Sequence, residues 1–277
     1  MNIAASDPEL GKSIKAAGLD TNYLEQGSGF PVMLLHGSGP GVTGYANWRF
    51  TIPVLAEHFR VIAPDAAGFG YTERKEGQVY DMDFWVRHTV GLMDALGIEK
   101  AHFVGNSFGG ALTIAIAARH PERVDRIVLM GAGGLEFDVT EGLEAVWGYQ
   151  PSPDYMRMMM QEFFAYDKSL IREDLVKSRY EASIRPGYHE SFSSMFAAPR
   201  QRHLKMMATP EDMVAALPNR ALIIHGREDR VVPLEVSFRF HQLLKHSELH
   251  VFGECGHWTQ IEKKDRFNKL ITDFFLV

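Results

Sequence analysis

Residues 104–110 read Val-Gly-Asn-Ser-Phe-Gly-Gly and join an apolar run at 101–104 to a small-residue helical pattern at 107–118. A strand that enters a helix through Gly-x-Ser-x-Gly strongly limits the fold. The flanking glycines let the backbone turn sharply and approach its neighbours without Cβ clashes, so a strained serine projects from the C-terminal edge of a sheet. The five-residue motif alone is common; its position between strand and helix makes Ser107 a candidate nucleophile.

A nucleophilic serine needs a base, and the base needs a group to orient it. On an elbow of this kind the chain order is serine, acid, histidine. The apolar run 220–225 (RALIIH) reads as a buried strand, and Asp229 lies in the loop that follows it. The next run, 248–252 (ELHVF), leads into Gly253-Glu254-Cys255-Gly256-His257-Trp258, which puts His257 in a glycine-flanked loop at the same sheet edge. The expected triad is Ser107, Asp229 and His257. The chain has 12 histidines, and most histidines are surface or core residues; His257 is singled out by its place in that order. Glu228, beside Asp229, is an alternative acid. Asp65, after the strand at 60–63, is a rival that the order disfavours because it precedes the serine.

The run 31–35 (PVMLL) is another buried strand, leading into His36-Gly37-Ser38-Gly39-Pro40-Gly41. Glycine-rich backbone there leaves N–H groups free to converge on a developing oxyanion. The Phe108 amide, next to the nucleophile, would share this hole with the amide of Ser38 or Gly37. The same stretch permits a second reading. Gly39 to Gly44 matches Gly-x-Gly-x-x-Gly between a strand and an expected helix at 46–59, with Asp65 after the following strand, the layout of a dinucleotide site. Against it, the glycines start too far past the strand, Pro40 removes an N–H, and a dehydrogenase leaves the elbow and His257 unexplained.

Short apolar runs at 31–35, 60–63, 101–104 and 126–130 alternate with helical patterns at 46–59, 82–96 and 107–118. That alternation predicts an α/β fold, a mostly parallel sheet with helices on both faces. Between about Gly131 and Leu217 no strand-like run occurs, and methionines and aromatics are frequent, as in Met156 to Met160, Phe163-Phe164 and Met206-Met207. The expectation is a core of residues 1–132 and 218–277, with a helical cap at 133–217 inserted after the sixth strand, over the edge where the triad collects. Most such methionines and aromatics are ordinary packing, but soft apolar side chains above a catalytic edge also suit a substrate pocket.

With 277 residues and 45% hydrophobic content the chain can bury a large core, and its net charge of −6 offers no basic surface for nucleic acid or anionic membrane. No apolar run approaches membrane-spanning length, the lone Cys255 suits a reducing cytoplasm, and no His-Glu-x-x-His spacing implies a metal. A homo-oligomer, dimer or larger, is expected.

The segments HGSGPGVTGYANW, GNSFGG, HGREDRVVP and GECGHW, with the cap segments AVWGYQPS, AYDKSL, SRYEASIRPG and ESFSSMF, resemble over nearly the whole chain the α/β-hydrolases that cleave carbon–carbon bonds in meta-cleavage products, the 2-hydroxy-6-oxohexa-2,4-dienoate hydrolases. The cap segments resemble the branch acting on 2-hydroxymuconate semialdehyde or small 6-alkyl dienoates rather than the 6-phenyl branch. The resemblance implies hydrolysis to 2-hydroxypenta-2,4-dienoate and a carboxylic acid without a cofactor: C5 is protonated, Ser107 attacks C6, a stabilised enolate leaves, and water releases the acyl group. It also implies that Arg179 holds the carboxylate of the small anionic substrate and that Asn47, Asn106 and Trp258 bind the dienoate head. A solvated helix arginine, a helix N-cap at Asn47 and core packing of Trp258 are the ordinary alternatives. Arg185, Arg200 and Arg202 are further cations that the sequence does not place. A carboxylesterase using the same triad is the nearest rival.

Overall fold

A computed structural model describes residues 7–277. One eight-stranded sheet runs in the order β1-β2-β4-β3-β5-β6-β7-β8. Its strands are β1 (Lys12–Ala16), β2 (Leu19–Gln26), β3 (Pro31–Leu35), β4 (Arg60–Pro64), β5 (Ala101–Asn106), β6 (Val124–Met130), β7 (Ala221–Gly226) and β8 (Ser247–Phe252). β1 pairs antiparallel with β2 and β2 with β4; every later pair is parallel.

Both faces of the parallel strands are covered, which is why their sequences are continuous apolar runs. Alternate residues feed two cores. Met33, Leu35, Ile62, Phe103, Ile127, Leu129 and Ile223 belong to one core. It is shared with α3 (Met82–Ala95), α4 (Phe108–Arg119) and α11 (Leu234–Leu243). Val32, Leu34, Val61, Val104, Val128, Leu222 and Ile224 belong to the other. There they meet α1 (Gly44–Trp48), α2 (Ile52–Leu55) and the C-terminal α13 (Lys264–Leu276), whose Phe267 stacks on Trp48 at 6.4 Å between ring centroids. Phe267, Ile271, Phe274 and Phe275, spaced at helical intervals, form its buried stripe.

Three details depart from the sequence expectations. The antiparallel pair β1 and β2 was not anticipated, because its outer strand is mostly exposed and polar. The helix expected at 46–59 is two short helices, since Pro53 lacks the N–H a continuous helix would need and sits instead in the first turn of α2. β5 runs on to Asn106, and α4 starts only at Phe108. Ser107 between them has φ 53° and ψ −114°, outside both helix and strand.

Between β6 and β7 the described residues form helices and loops without a strand: α5 (Glu141–Trp147), α6 (Pro153–Met159) continued by a π-helical turn Met160–Phe164, α7 (Glu173–Ser183), α8 (Tyr188–Met195), α9 (Gln201–Met207) and α10 (Glu211–Ala215). Ser152 and Thr140 cap α6 and α5 by accepting the Tyr155 and Leu143 amides at 3.1 and 3.0 Å. Among the described residues no helix is long and apolar enough to cross a membrane.

Candidate active site

The elbow is held by close backbone approaches that exclude a side chain. A Cβ on Gly109 would lie 2.2 Å from the Leu35 carbonyl oxygen, and one on Gly105 would lie 2.3 Å from that of Gly109. Only glycine permits both contacts. Ser107 adopts a positive φ that its neighbours impose: its amide donates to the Met130 carbonyl at 3.0 Å, and its own carbonyl accepts from Gly110, Ala111 and Gly133.

Asp229, after β7, and His257, after β8, meet at 2.7 Å between Oδ2 and Nδ1. Asp229 Oδ1 accepts the Val231 and Val232 amides at 2.7 and 3.0 Å. Burial of this carboxyl raises its pKa, but His257, His225 and the amide donors outweigh that and hold it below the usual carboxylate range. An ionised carboxylate on Nδ1 fixes the imidazole tautomer that leaves Nε2 free to accept a proton. Gly131 lies against the pair, where a Cβ would be 3.0 Å from Asp229 Oδ2 and 3.2 Å from His257 Nδ1.

The alternative acids are occupied elsewhere. Glu228 accepts the Cys255 amide at 3.0 Å and pairs with Arg227. Asp65 is buried and accepts from Gly44 N at 2.6 Å, Tyr71 N at 2.7 Å and Asn22 Nδ2 at 2.8 Å, tying its loop to the start of α1, the Tyr71 turn and β2. Burial pushes its pKa up to about 6 despite those donors. The Gly39-to-Gly44 stretch offers no phosphate crevice. A Cβ on Gly41 would strike the backbone of Ser183 at 2.8 Å and Arg179 at 2.9 Å, and the Gly44 amide is taken by Asp65.

Ser107 and His257 line one cavity, together with Gly37, Ser38, Asn47, Asn106, Arg179 and Trp258. Phe108 is buried behind it at the start of α4. The Gly37 amide points at Asn47 Oδ1 at 3.5 Å, whereas among the described residues the Ser38 and Phe108 amides have no acceptor. The choice left open between Ser38 and Gly37 therefore favours Ser38. Asn47 lies inside α1, whose N-cap is Thr43, so the N-cap alternative does not hold; its side chain is 7% exposed and its Nδ2 has no partner. Asn106 Nδ2 donates to the Met130 carbonyl at 3.3 Å.

Arg179 is not solvated. It donates to the Gly41 carbonyl at 3.2 Å and to Ser178 Oγ at 3.0 Å, and it pairs with Glu9. Arg185 pairs with Asp7 at 3.4 Å and Glu9 at 3.6 Å, and Arg200 pairs with Glu144. Arg202 donates to the Ala197 carbonyl at 3.3 Å, and none of these three arginines lines the cavity.

The segment between β6 and β7 adds an apolar wall of Leu143, Val146, Met156, Met159, Met160, Phe164 and Leu175. Met195, Phe196 and Met207 from the same methionine-rich stretch belong to the core instead. Phe164 stacks on His257 with centroids 6.1 Å apart and lies tilted against Trp258 at 4.9 Å, and its carbonyl accepts the Trp258 amide at 3.1 Å. Glu262 joins the same parts through the Gly256, Tyr166 and Asp167 amides at 2.7, 2.8 and 3.0 Å. Sequence reasoning missed Glu262, Trp147, Gln260 and Arg49. The Trp147 indole donates to Ser38 Oγ at 3.0 Å, fixing the loop that bears the Ser38 amide. Gln260 and Arg49 line the cavity, and an i,i+2 offset from Trp258 and Asn47 is not a helical spacing that would have pointed to them.

Comparison with known proteins agrees with this geometry. The α/β-hydrolase fold family matches residues 31–264. A 2-hydroxymuconate semialdehyde hydrolase of Pseudomonas sp. strain CF600 is 54% identical, the match covering 99% of this chain and 96% of that protein. A 2-hydroxy-6-oxo-2,4-heptadienoate hydrolase of Pseudomonas putida is 52% identical, over 96% of each. The crystal structure of a meta-cleavage product hydrolase from Pseudomonas fluorescens IP01, a variant complexed with acetates, superposes with a TM-score of 0.96 at 60% identity, covering 97% of this chain and 98% of that one. The 6-phenyl hydrolase of Rhodococcus sp. strain RHA1 is more distant, at 35% identity and a TM-score of 0.88, covering 97% of this chain and 99% of that one. The chain belongs to the α/β-hydrolase family and, within it, to the meta-cleavage product hydrolases.

Proposed function

We propose that this chain hydrolyses the C5–C6 bond of 2-hydroxy-6-oxohexa-2,4-dienoates carrying hydrogen or a small alkyl group at C6, with Ser107 as nucleophile, His257 as base and Asp229 as its orienting acid. One observation carries the reading: Asp229 and His257 are paired at 2.7 Å at the edge of a cavity that also holds the strained Ser107, two guanidiniums and an apolar wall from the helical segment. An acidic protein binds an anionic substrate only through local cations, and Arg179 supplies one suited to a carboxylate. Asn47, Asn106 and Trp258 hold the dienoate head.

The chemistry begins by making carbon a better leaving group. The 2-hydroxyl proton is lost and C5 is protonated, giving a 2-oxo compound whose C6 is an ordinary ketone or aldehyde carbonyl. Ser107 Oγ attacks C6 as His257 takes its proton. The Phe108 and Ser38 amides, with Gly37 beside them, stabilise the oxyanion. Collapse breaks C5–C6 and places the electron pair in a conjugated enolate, which takes the proton from His257 and leaves as 2-hydroxypenta-2,4-dienoate. Water, activated by His257, then releases the carboxylic acid and restores Ser107. Residues 133–217 act as a cap, and its Met156, Met159 and Met160 receive the C6 substituent. The remainder of the chain, 1–132 and 218–277, is the hydrolase core. The protein is placed in the cytoplasm, as its single, buried Cys255 suits. It is taken to be a homo-oligomer, dimer or larger, which sedimentation at several concentrations tests.

The test is loss of dienolate absorbance across a series of C6 substituents, run beside a neutral aryl ester. Faster turnover of the hydrogen, methyl and small alkyl dienoates than of the ester is expected. Turnover of the ester alone would assign the chain to the carboxylesterases instead.

A further inference from the structure

Arg179 and Arg49 both line the inner cavity and also the outer groove that opens between the N-terminal segment, α7 and the start of α13, so the two side chains stand at the wall between them. Their partners differ. Arg179 is matched by Glu9, a carboxylate 5% exposed, and by the Gly41 carbonyl. Arg49 donates to the Ala46 carbonyl and lies 4.5 Å over the Phe50 ring, and among the described residues no carboxylate comes within 4 Å of it. Asp7 and Glu9 are taken up by Arg179 and Arg185, which leaves the Arg49 guanidinium without an ion-pair partner of its own. Burial depresses the Arg49 pKa and proximity to Arg179 depresses it further, and the weaker attraction of Tyr45 and Glu9 does not offset them.

A half-buried cation without a counter-ion is costly unless something else supplies the anion. Two more unpartnered groups line the same cavity. Asn47 Nδ2 and Gln260 Oε1 are buried without hydrogen-bond partners, on residues 7% and 1% exposed. A donor, an acceptor and an unneutralised guanidinium together match a 2-oxo or 2-hydroxy carboxylate, which offers charge, acceptors and, in the hydroxy form, one donor.

We propose that Arg49 is a second cation of the substrate's carboxylate site, which it forms with Arg179 at the throat of the cavity, and that its guanidinium is neutralised only when a 2-oxo or 2-hydroxy carboxylate is bound. This rests on the functional reading above and extends it to a residue that also discriminates against neutral ligands. Arg179 arrives with a built-in counter-ion and is positioned by it; Arg49 gives the site its unpaired positive charge. Increasing salt therefore weakens binding more in the wild type than in a variant lacking Arg49.

Calorimetric titration with 2-oxopentanoate tests this without requiring turnover. The wild type is expected to bind, Arg49→Gln to bind about tenfold or more weakly with a shallower salt dependence, and Arg49→Lys to fall between them. The Tm of unliganded Arg49→Gln should be no lower than that of the wild type, because an unneutralised cation is removed. Equal affinity in wild type, Arg49→Gln and Arg49→Lys would overturn the proposal. So would a fall in Tm that accounts for lost binding in Arg49→Gln together with unchanged binding in Arg49→Ala, or absence of 2-oxopentanoate binding to the wild type. Failure of the functional reading would be seen separately, as wild-type enzyme that leaves the dienoate intact.

Discussion

The sheet edge and the helical segment between β6 and β7 contribute to one cavity by opposite means. At the edge, position is set by backbone: Gly105, Gly109 and Gly131 sit where a Cβ would come within 2.2 to 3.0 Å of a neighbouring atom, and Ser107 is forced to φ 53°. In the helical segment, position is set by flexible side chains: Met156, Met159 and Met160 present thioethers that repack at small cost. On the proposed function, the rigid part fixes where charge develops and the adaptable part decides what fits beside it. Changes at the edge should therefore act on the rate of chemistry, and changes in the cap on the range of substrates.

The largest effect separating the two is expected for His257→Ala. Loss of the base should lower kcat by about 10⁵- to 10⁶-fold, because members of a triad act as a unit. Thermal unfolding should show a fold that persists, and a fall of less than about tenfold would remove His257 from the chemistry. Next, Arg179→Gln should reduce kcat/KM on dienoates by about 2 to 4 kcal/mol in transition-state terms, the loss of a charge-assisted contact in a partly desolvated site. A neutral aryl ester, with no carboxylate, should lose less. Equal losses on both would make Arg179 a structural link to Glu9 and Gly41.

The third comparison probes the cap. Replacing methyl by phenyl at C6 should lower kcat/KM by about tenfold to a hundredfold, the discrimination a few apolar groups can provide. Equal rates would move the chain to the 6-phenyl branch and leave the edge untouched. The smallest effects are on stability against pH, where two aspartates at the same edge have opposite signs. The folded pKa of Asp65 is raised from 3.8 to about 6, so its contribution is full below pH 3.8 and is lost as pH rises through about 6. The folded pKa of Asp229 is lowered below 3.8, so its contribution is present above that value and is lost as pH falls through the folded pKa. Unfolding curves of Asp65→Asn and Asp229→Asn should each lose the corresponding slope; a shared slope would mean that neither carboxyl is perturbed as described.

The edge was legible because the residues proposed to act there lie in short contiguous motifs. Gly-Asn-Ser-Phe-Gly, the loop with Asp229 and the loop with His257 each follow an apolar strand, and parallel strands deliver their C-terminal ends to one side. Chain order disfavoured Asp65 but did not separate Glu228 from its neighbour Asp229; in the structure Asp229 is the carboxylate that meets His257, whereas Asp65 and Glu228 are engaged elsewhere. β1 and β2 were not legible, since a mostly exposed outer strand lacks an apolar run. Nor was the pairing of Arg179 with Glu9, 170 residues apart in the chain, because long-range ion pairs leave no local pattern. Trp147 and Glu262 went unnoticed for the same reason: each acts across the boundary between the helical segment and a loop of the sheet edge.

The central claim is that Ser107 cleaves a carbon–carbon bond, and direct product analysis tests it. Wild type and Ser107→Ala, matched for thermal stability, are incubated with 2-hydroxy-6-oxohepta-2,4-dienoate, and acetate and 2-hydroxypenta-2,4-dienoate are quantified. The account predicts equal amounts of the two products from the wild type and neither from Ser107→Ala on the same time scale. Acetate released by Ser107→Ala at a rate near that of the wild type, or dienoate consumed by the wild type without acetate, would contradict it.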